Sequence, residues 1–190
     1  MLTRLRPSFQ SSSRSFSTVC KLAVGAKLPA ITLQEYRHFE GGEGCAIGPN
    51  PIDLQKAAKG KRVALFGLPG AFTPACSEKH LPGFLTHHKD FVAAGVDEIW
   101  CIAVNDAFVM GAWGENLKAQ GKIRMIGDGD AVWTKATNLT FDLTGKGLGL
   151  RSTRYSMLVK DGVITHLNVD APGKFEKSDA ETLLAQAKAH

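Results

Sequence analysis

Two short apolar runs, residues 61–67 (KRVALFG) and 98–104 (EIWCIAV), constrain this chain more than any other feature. Neither alternates polar with apolar residues, so each reads as a strand buried on both faces, as in a parallel sheet covered by helices. Between them, residues 73–94 carry Leu81, Phe84, Leu85, Phe91 and Val92 on one helical face. Pro82 predicts a kink in that helix, since proline removes an amide donor. After the second run, Asn105 and Asp106 offer caps for a helix with Phe108, Ala112, Trp113 and Leu117 facing inward, closed by Gly121. Residues 123–126 read as a third strand and 130–137 as a short helix. This alternation implies an α/β fold, a central sheet flanked by helices.

Residues 155–160 and 163–168 flank Asp161-Gly162, a strong two-residue hairpin signal that adds antiparallel strands and makes the sheet mixed. Ser178-x-x-Glu181 reads as a capping box opening a terminal helix with Leu183, Leu184 and Ala187 on its apolar side. Residues 40–51 (EGGEGCAIGPNP) form a Gly/Pro loop. With no repeat and no interdomain linker, residues 23–190 make a single domain. Strand-helix-strand-helix-strand, then a hairpin and a helix, is the order of a thioredoxin-like fold.

The amino terminus stands apart. Residues 1–34 contain no acid, and Arg4, Arg6 and Arg14 are scattered among Ser and single apolar residues. That is the chemistry of an organellar transit peptide, because a secretory signal needs a continuous apolar core. Arg14-Ser15-Phe16-Ser17 resembles a matrix-processing site, so residues 1–16 are expected to be cleaved, with 17–22 as an extension. The mitochondrial matrix is the expected destination and the plastid the alternative. The chain carries 23 basic and 18 acidic residues. Setting the presequence aside leaves a nearly neutral body, which gives no reason to expect a nucleic-acid partner. No apolar run is long enough to span a membrane.

Four cysteines, Cys20, Cys45, Cys76 and Cys101, make no C-x-x-C pair and have no closely spaced histidine, so neither a disulfide scaffold nor a zinc site is expected. Cys76 is distinctive. It follows Pro69-Gly70-Ala71-Phe72-Thr73-Pro74-Ala75, between a strand and a helix. A sulfur in the first turn of a helix faces unsatisfied N–H groups and the positive end of the helix dipole, and both favour thiolate. Pro74 suits such a turn. The Thr73 hydroxyl can donate to the sulfur or to an attacked oxygen. Gly70 lets the backbone approach a small ligand.

P-x-x-x-T-x-x-C, present as Pro69, Thr73 and Cys76, is the signature of the peroxiredoxins, and FGLPGAFTPACSEKHLPGF resembles their type II, atypical two-cysteine group. GVDEIWCIAVNDAFVMGAW and RYSMLVKDGVITHLNV extend the resemblance, which spans about residues 22–190. It implies a cofactor-free thiol peroxidase that reduces hydrogen peroxide and alkyl hydroperoxides through a Cys76 sulfenic acid, with Thr73 and Arg154 completing the site. Arg154 takes the family's arginine position; Arg151 reads as a solvated surface charge. The resemblance also implies a homodimer through the active-site end.

Cys101 stands where plant-like members carry the resolving cysteine, and residues 172–181 hold no cysteine for the other scheme. A helix from Cys76 to residue 94 rises about 28 Å. The returning strand recovers about 13–17 Å, so a disulfide, which needs Cα atoms within about 7 Å, demands unwinding of the helix start. Two readings stay open. Either Cys101 resolves the sulfenic acid, or it is a core thiol and glutathione, glutaredoxin or thioredoxin acts directly. Cys45 is a further candidate in its loop. A different class, a peroxide-responsive sensor or chaperone-like binding protein, is disfavoured because it needs neither Thr73 nor Arg154. His80, one turn after Cys76, reads chiefly as packing. His87 and His88 point to different sides of a helix, so no metal is expected.

Overall fold

The computed structural model describes residues 20, 22–36 and 49–189. The presequence expected over residues 1–16, and Cys45, lie outside them. Strands β1 (Thr32–Glu35) and β2 (Asn50–Asp53) and a single turn, α1 (Leu54–Ala57), precede β3 (Arg62–Leu68). A π-helical turn, Cys76–His80, runs into α2 (Leu81–Thr86) and α3 (His88–Ala93). Then come β4 (Glu98–Ala103), α4 (Ala107–Asn116), β5 (Ile123–Gly127) and α5 (Val132–Ala136). Strands β6 (Thr140–Leu143) and β7 (Gly149–Ser152) form a separate two-stranded ribbon. The hairpin β8 (Tyr155–Lys160) and β9 (Val163–Val169) leads to α6 (Ala180–Lys188).

The main sheet has the order β2-β1-β5-β4-β3-β8-β9, with β3, β4 and β5 parallel and the outer strands antiparallel. It is the mixed, thioredoxin-like sheet expected. Alternate residues of the central strands feed two cores. On one face Ala64, Phe66, Cys101 and Leu158 pack with Cys76, Phe84, Met110, Trp113 and Leu183. On the other, Val63, Leu65, Trp100 and Tyr155 pack with Leu33, Leu54 and Trp133. Helices cover both sides, which is why β3 and β4 are apolar throughout.

Several local expectations need correction. The helix after Cys76 breaks at His87, with Pro82 instead in the first turn of α2, where its missing N–H is no loss. Helix α4 buries Ala107, Met110, Trp113 and Gly114, so Phe108 and Ala112 face outward. Its cap is Asp106, whose side chain accepts from Val109 N–H, and it ends before Gly121. Asp179, not Ser178, caps α6 by accepting from Thr182 N–H at 2.8 Å. The Asp161-Gly162 turn closes β8 and β9 with both residues at positive φ, the backbone a two-residue hairpin of this hand requires.

Candidate active site

Strand β3 ends at the centre of the sheet and delivers Pro69–Ala75 to the edge of the helical layer. Three contacts hold that loop. The Arg151 guanidinium donates to the Pro69 carbonyl at 3.2 Å, while its Nε donates to the Leu148 carbonyl at 2.7 Å. The Asn105 side chain accepts from Ala71 N–H at 2.9 Å. Thr73 Oγ1 donates to the Gly70 carbonyl at 2.8 Å. Phe72 is forced to φ +59 between these anchors, a left-handed conformation costly for an aromatic residue. Arg151 is therefore not the solvated surface charge expected from its sequence context. Gly70 is also re-read: a Cβ there would collide with the Arg151 guanidinium, so protein, not ligand, is what approaches its backbone.

Cys76 opens the π-helical turn with its side chain fully buried. Arg154, just before β8 and itself 7% exposed, donates Nη1–H to the sulfur at 3.0 Å. Two residues 78 positions apart thus converge on one atom. The contact follows from strand pairing, because β8 runs beside β3 with Gly67 opposite Tyr155. Any Cβ at position 67 would strike the Tyr155 ring, so glycine is needed to seat the residue next to Arg154. The turn is pinned from α4 as well, where Trp113 Nε1–H donates to Ser77 Oγ at 3.1 Å.

Thr73 lies three residues before Cys76, and its hydroxyl does not donate to the sulfur. Its hydroxyl hydrogen goes to Gly70, which leaves the oxygen as an acceptor toward an incoming O–H. Cys101 shares the apolar cluster of Cys76 but is fully buried in mid-strand. Burial pushes its thiol well up, and the neighbouring Cys76 adds to the effect. Both thiols are free, as is Cys20. No group of metal-ligating side chains occurs among the described residues. A groove of about 700 Å³ between β5 and α4 contains neither Cys76 nor Arg154.

Around Arg154, residues absent from the sequence-level site appear. His80 is fully buried, with Nε2 3.0 Å from the Ser178 carbonyl oxygen. Phe175 lies against both the His80 ring, 4.8 Å between centroids, and the Arg154 guanidinium, 5.7 Å from the ring centre. Asp170 N–H donates to the Arg154 carbonyl at 2.9 Å. The Asp170 carboxylate in turn accepts from Lys177 N–H and Ser178 Oγ–H. Nothing in the spacing of these residues signals such a network, since its links run through backbone carbonyls, ring faces and one carboxylate–hydroxyl bond.

A thioredoxin-like domain whose buried thiol receives a guanidinium is a redox-active thiol protein by construction. Comparison with known proteins agrees: residues 23–184 match the family model described as Redoxin. Peroxiredoxin-2F, mitochondrial, of Arabidopsis thaliana is 39% identical over 180 residues, covering 92% of this chain and 87% of that protein. Peroxiredoxin-2E-2, chloroplastic, of Oryza sativa subsp. japonica is 42% identical over 171 residues, covering 88% and 73%. The crystal structure of reduced Prx3 from Vibrio vulnificus in complex with hydrogen peroxide superposes with a TM-score of 0.80. It is 46% identical and covers 87% of this chain and 99% of that one. The chain belongs to the redoxin family and, within it, to the type II peroxiredoxins, and its activity is that of a thiol peroxidase.

Proposed function

We propose that Cys76 is the attacking sulfur, that Arg154 and Thr73 form the peroxide site with it, and that an external thiol completes the cycle. The 3.0 Å contact between Arg154 Nη1 and Cys76 Sγ carries this reading. Cys76 attacks as the thiolate. Its electron pair forms the S–O bond while the O–O bond breaks, and the leaving oxygen departs with the O–O bonding pair and takes a proton to become water or an alcohol. Negative charge moves from sulfur toward the leaving oxygen, so donors that already face the sulfur stabilise it throughout. A guanidinium suits this better than an ammonium, because its planar fork spans two acceptors at once. Thr73 Oγ1 accepts from the peroxide O–H and orients the oxygen under attack.

The product is a Cys76 sulfenic acid. One molecule of external thiol displaces its hydroxyl as water and leaves a mixed disulfide; a second displaces Cys76 and restores the thiol. Glutathione, glutaredoxin or thioredoxin is the expected class of reductant. The full burial and raised thiol of Cys101 favour this route over an internal disulfide, since resolution requires a thiolate within bonding reach. Hydrogen peroxide and small alkyl hydroperoxides fit so enclosed a sulfur. The relatives named as mitochondrial and chloroplastic, together with the basic, acid-free leader, support import into an organelle, for which the mitochondrial matrix is our assignment.

Peroxide consumption with glutathione or a reducing protein supplied, in wild type, Cys76→Ser and Cys101→Ala, tests the scheme. Loss in the first variant and retention in the second are expected. Turnover by Cys76→Ser would overturn the assignment. An intramolecular disulfide in the intact mass of peroxide-treated wild type, absent from Cys101→Ala, would restore Cys101 as resolving.

A further inference from the structure

The segment from Asp170 to Ser178 meets Arg154 at both Asp170 and Phe175, and His80 ties its far end, at Ser178, to the turn that carries Cys76. Nε2 of His80 faces a carbonyl oxygen, which only accepts, so Nε2 carries the hydrogen. Burial, and next the Arg154 charge, lower the ring from 6.5 to about 3, against smaller opposing effects of Ser178, Asp170 and Asp179. His80 is therefore neutral at every physiological pH. A neutral ring beside a buried guanidinium keeps the packing without adding a second cation. The same imidazole contacts Phe66, Phe84 and Phe175, so its orientation is set by three aromatic neighbours.

Arg154 needs such help. Its contact with Cys76 uses Nη1 alone, and its buried Nε–H has no hydrogen-bond partner among the described residues. No carboxylate ion pair to Arg154 fixes the guanidinium among the described residues. What holds it is the Phe175 face and the backbone bond from Asp170 N–H. Phe175 in turn is placed by the turn that Asp170 closes on Lys177 and Ser178, and Ser178 is placed by His80.

Resting on the assignment of Cys76 and Arg154 above, we propose that His80 is a positioning residue. By latching the 170–178 strap through Ser178, it lays Phe175 across Arg154 and aims the guanidinium at the reacting sulfur. Its role is exerted through Arg154, so it should affect reaction with peroxide more than reaction of the same sulfur with an electrophile that creates no oxyanion. The test compares reduced full-length protein reacting with hydrogen peroxide and with chloroacetamide, reading Cys76 modification by peptide mass spectrometry.

In His80→Leu, which keeps bulk and removes the donor, the ratio of the two rates should fall on the order of tenfold to a hundredfold. His80→Gln, which returns an N–H near the position of Nε2, should recover most of it. Phe175→Leu changes a half-buried side chain that folding does not depend on, and it should lower the ratio in the same direction. An unchanged ratio in His80→Leu and Phe175→Leu overturns the proposal. If His80→Leu fails to fold, the ratio in Phe175→Leu decides alone. Cys76→Ser that still consumes peroxide would sink the site assignment itself, a separate result.

Discussion

Cys76 has no solvent-exposed surface, yet its sulfur meets a charged donor. A buried guanidinium is tolerated only with compensating partners, and the sulfur that accepts its hydrogen bond is one. The two residues thus stabilise each other, and removing either leaves its partner exposed to the desolvation cost. Arg154→Ala is expected to lower the second-order rate constant for hydrogen peroxide by about 10²–10³, the loss typical of one preorganised donor. Stopped-flow measurement on the reduced protein reads it. A loss under threefold would mean that the contact is structural. The Pro69, Thr73 and Cys76 motif is legible from spacing alone because it is local. Arg154 is legible only by resemblance, since 78 residues separate it from the sulfur. His80 is placed near the sulfur by its spacing, one turn after Cys76, though it reads chiefly as packing; Asp170, Ser178 and Phe175 are not legible, because no residue pattern encodes their contacts with backbone carbonyls, a ring face and one another.

Among elements, the loop 69–75 is held in an unfavourable backbone shape by residues from two other connections, Asn105 before α4 and Arg151 in β7. Arg151→Ala should leave the fold intact and slow peroxide reduction by about tenfold, because the strained turn then samples other conformations. Gly70→Ala should do worse, displacing the same guanidinium sterically. Both are checked by peroxide kinetics beside the thermal unfolding midpoint, which Arg151→Ala should lower by only a few degrees. The central strands are readable because burial on both faces makes them continuously apolar. Strands β1 and β2 escape notice, since TLQE and NPID alternate with exposed polar residues and the second holds a proline. Phe108 misleads for the converse reason: an aromatic at helical spacing reads as core, but here it points outward, half exposed. Ser178 fits a capping pattern in sequence, yet its hydroxyl is taken by Asp170, and the adjacent Asp179 caps instead.

At the scale of the molecule, two features set behaviour in solution. At the start of the central strand β4, burial would raise the Glu98 carboxyl, but hydrogen bonds from Lys61, Trp100 and Arg124 outweigh it and hold the group at about 2. A carboxyl lowered in the folded state stabilises it above the ordinary value of 4.5, and that contribution is lost as pH falls toward about 2. Glu98→Gln should therefore melt several degrees below wild type at pH 7, with the gap narrowing through that window; a gap constant with pH refutes the linkage. The second feature is apolar. Phe72 and Phe108 are 56% and 51% exposed; Phe108 lies in the first turn of α4, and Phe72 leans on Trp113 of the same helix. We propose this face as the surface of a homodimer, because exposed aromatics beside a rigid loop mark contact surfaces. Sedimentation of wild type against a Phe72→Glu, Phe108→Glu double variant should convert dimer to monomer; a monomeric wild type rejects it.

The complete enclosure of the Cys76 sulfur bears on the second half of the catalytic cycle. A molecule of two oxygens slips past the loop, whereas a reducing protein is too large to follow it. If a reducing protein is the donor, as proposed above, the oxidised sulfur has to come out to meet it, by partial unwinding of the turn that holds it. Regeneration then has a ceiling set by how often that doorway swings, and adding more donor beyond that point leaves throughput unchanged.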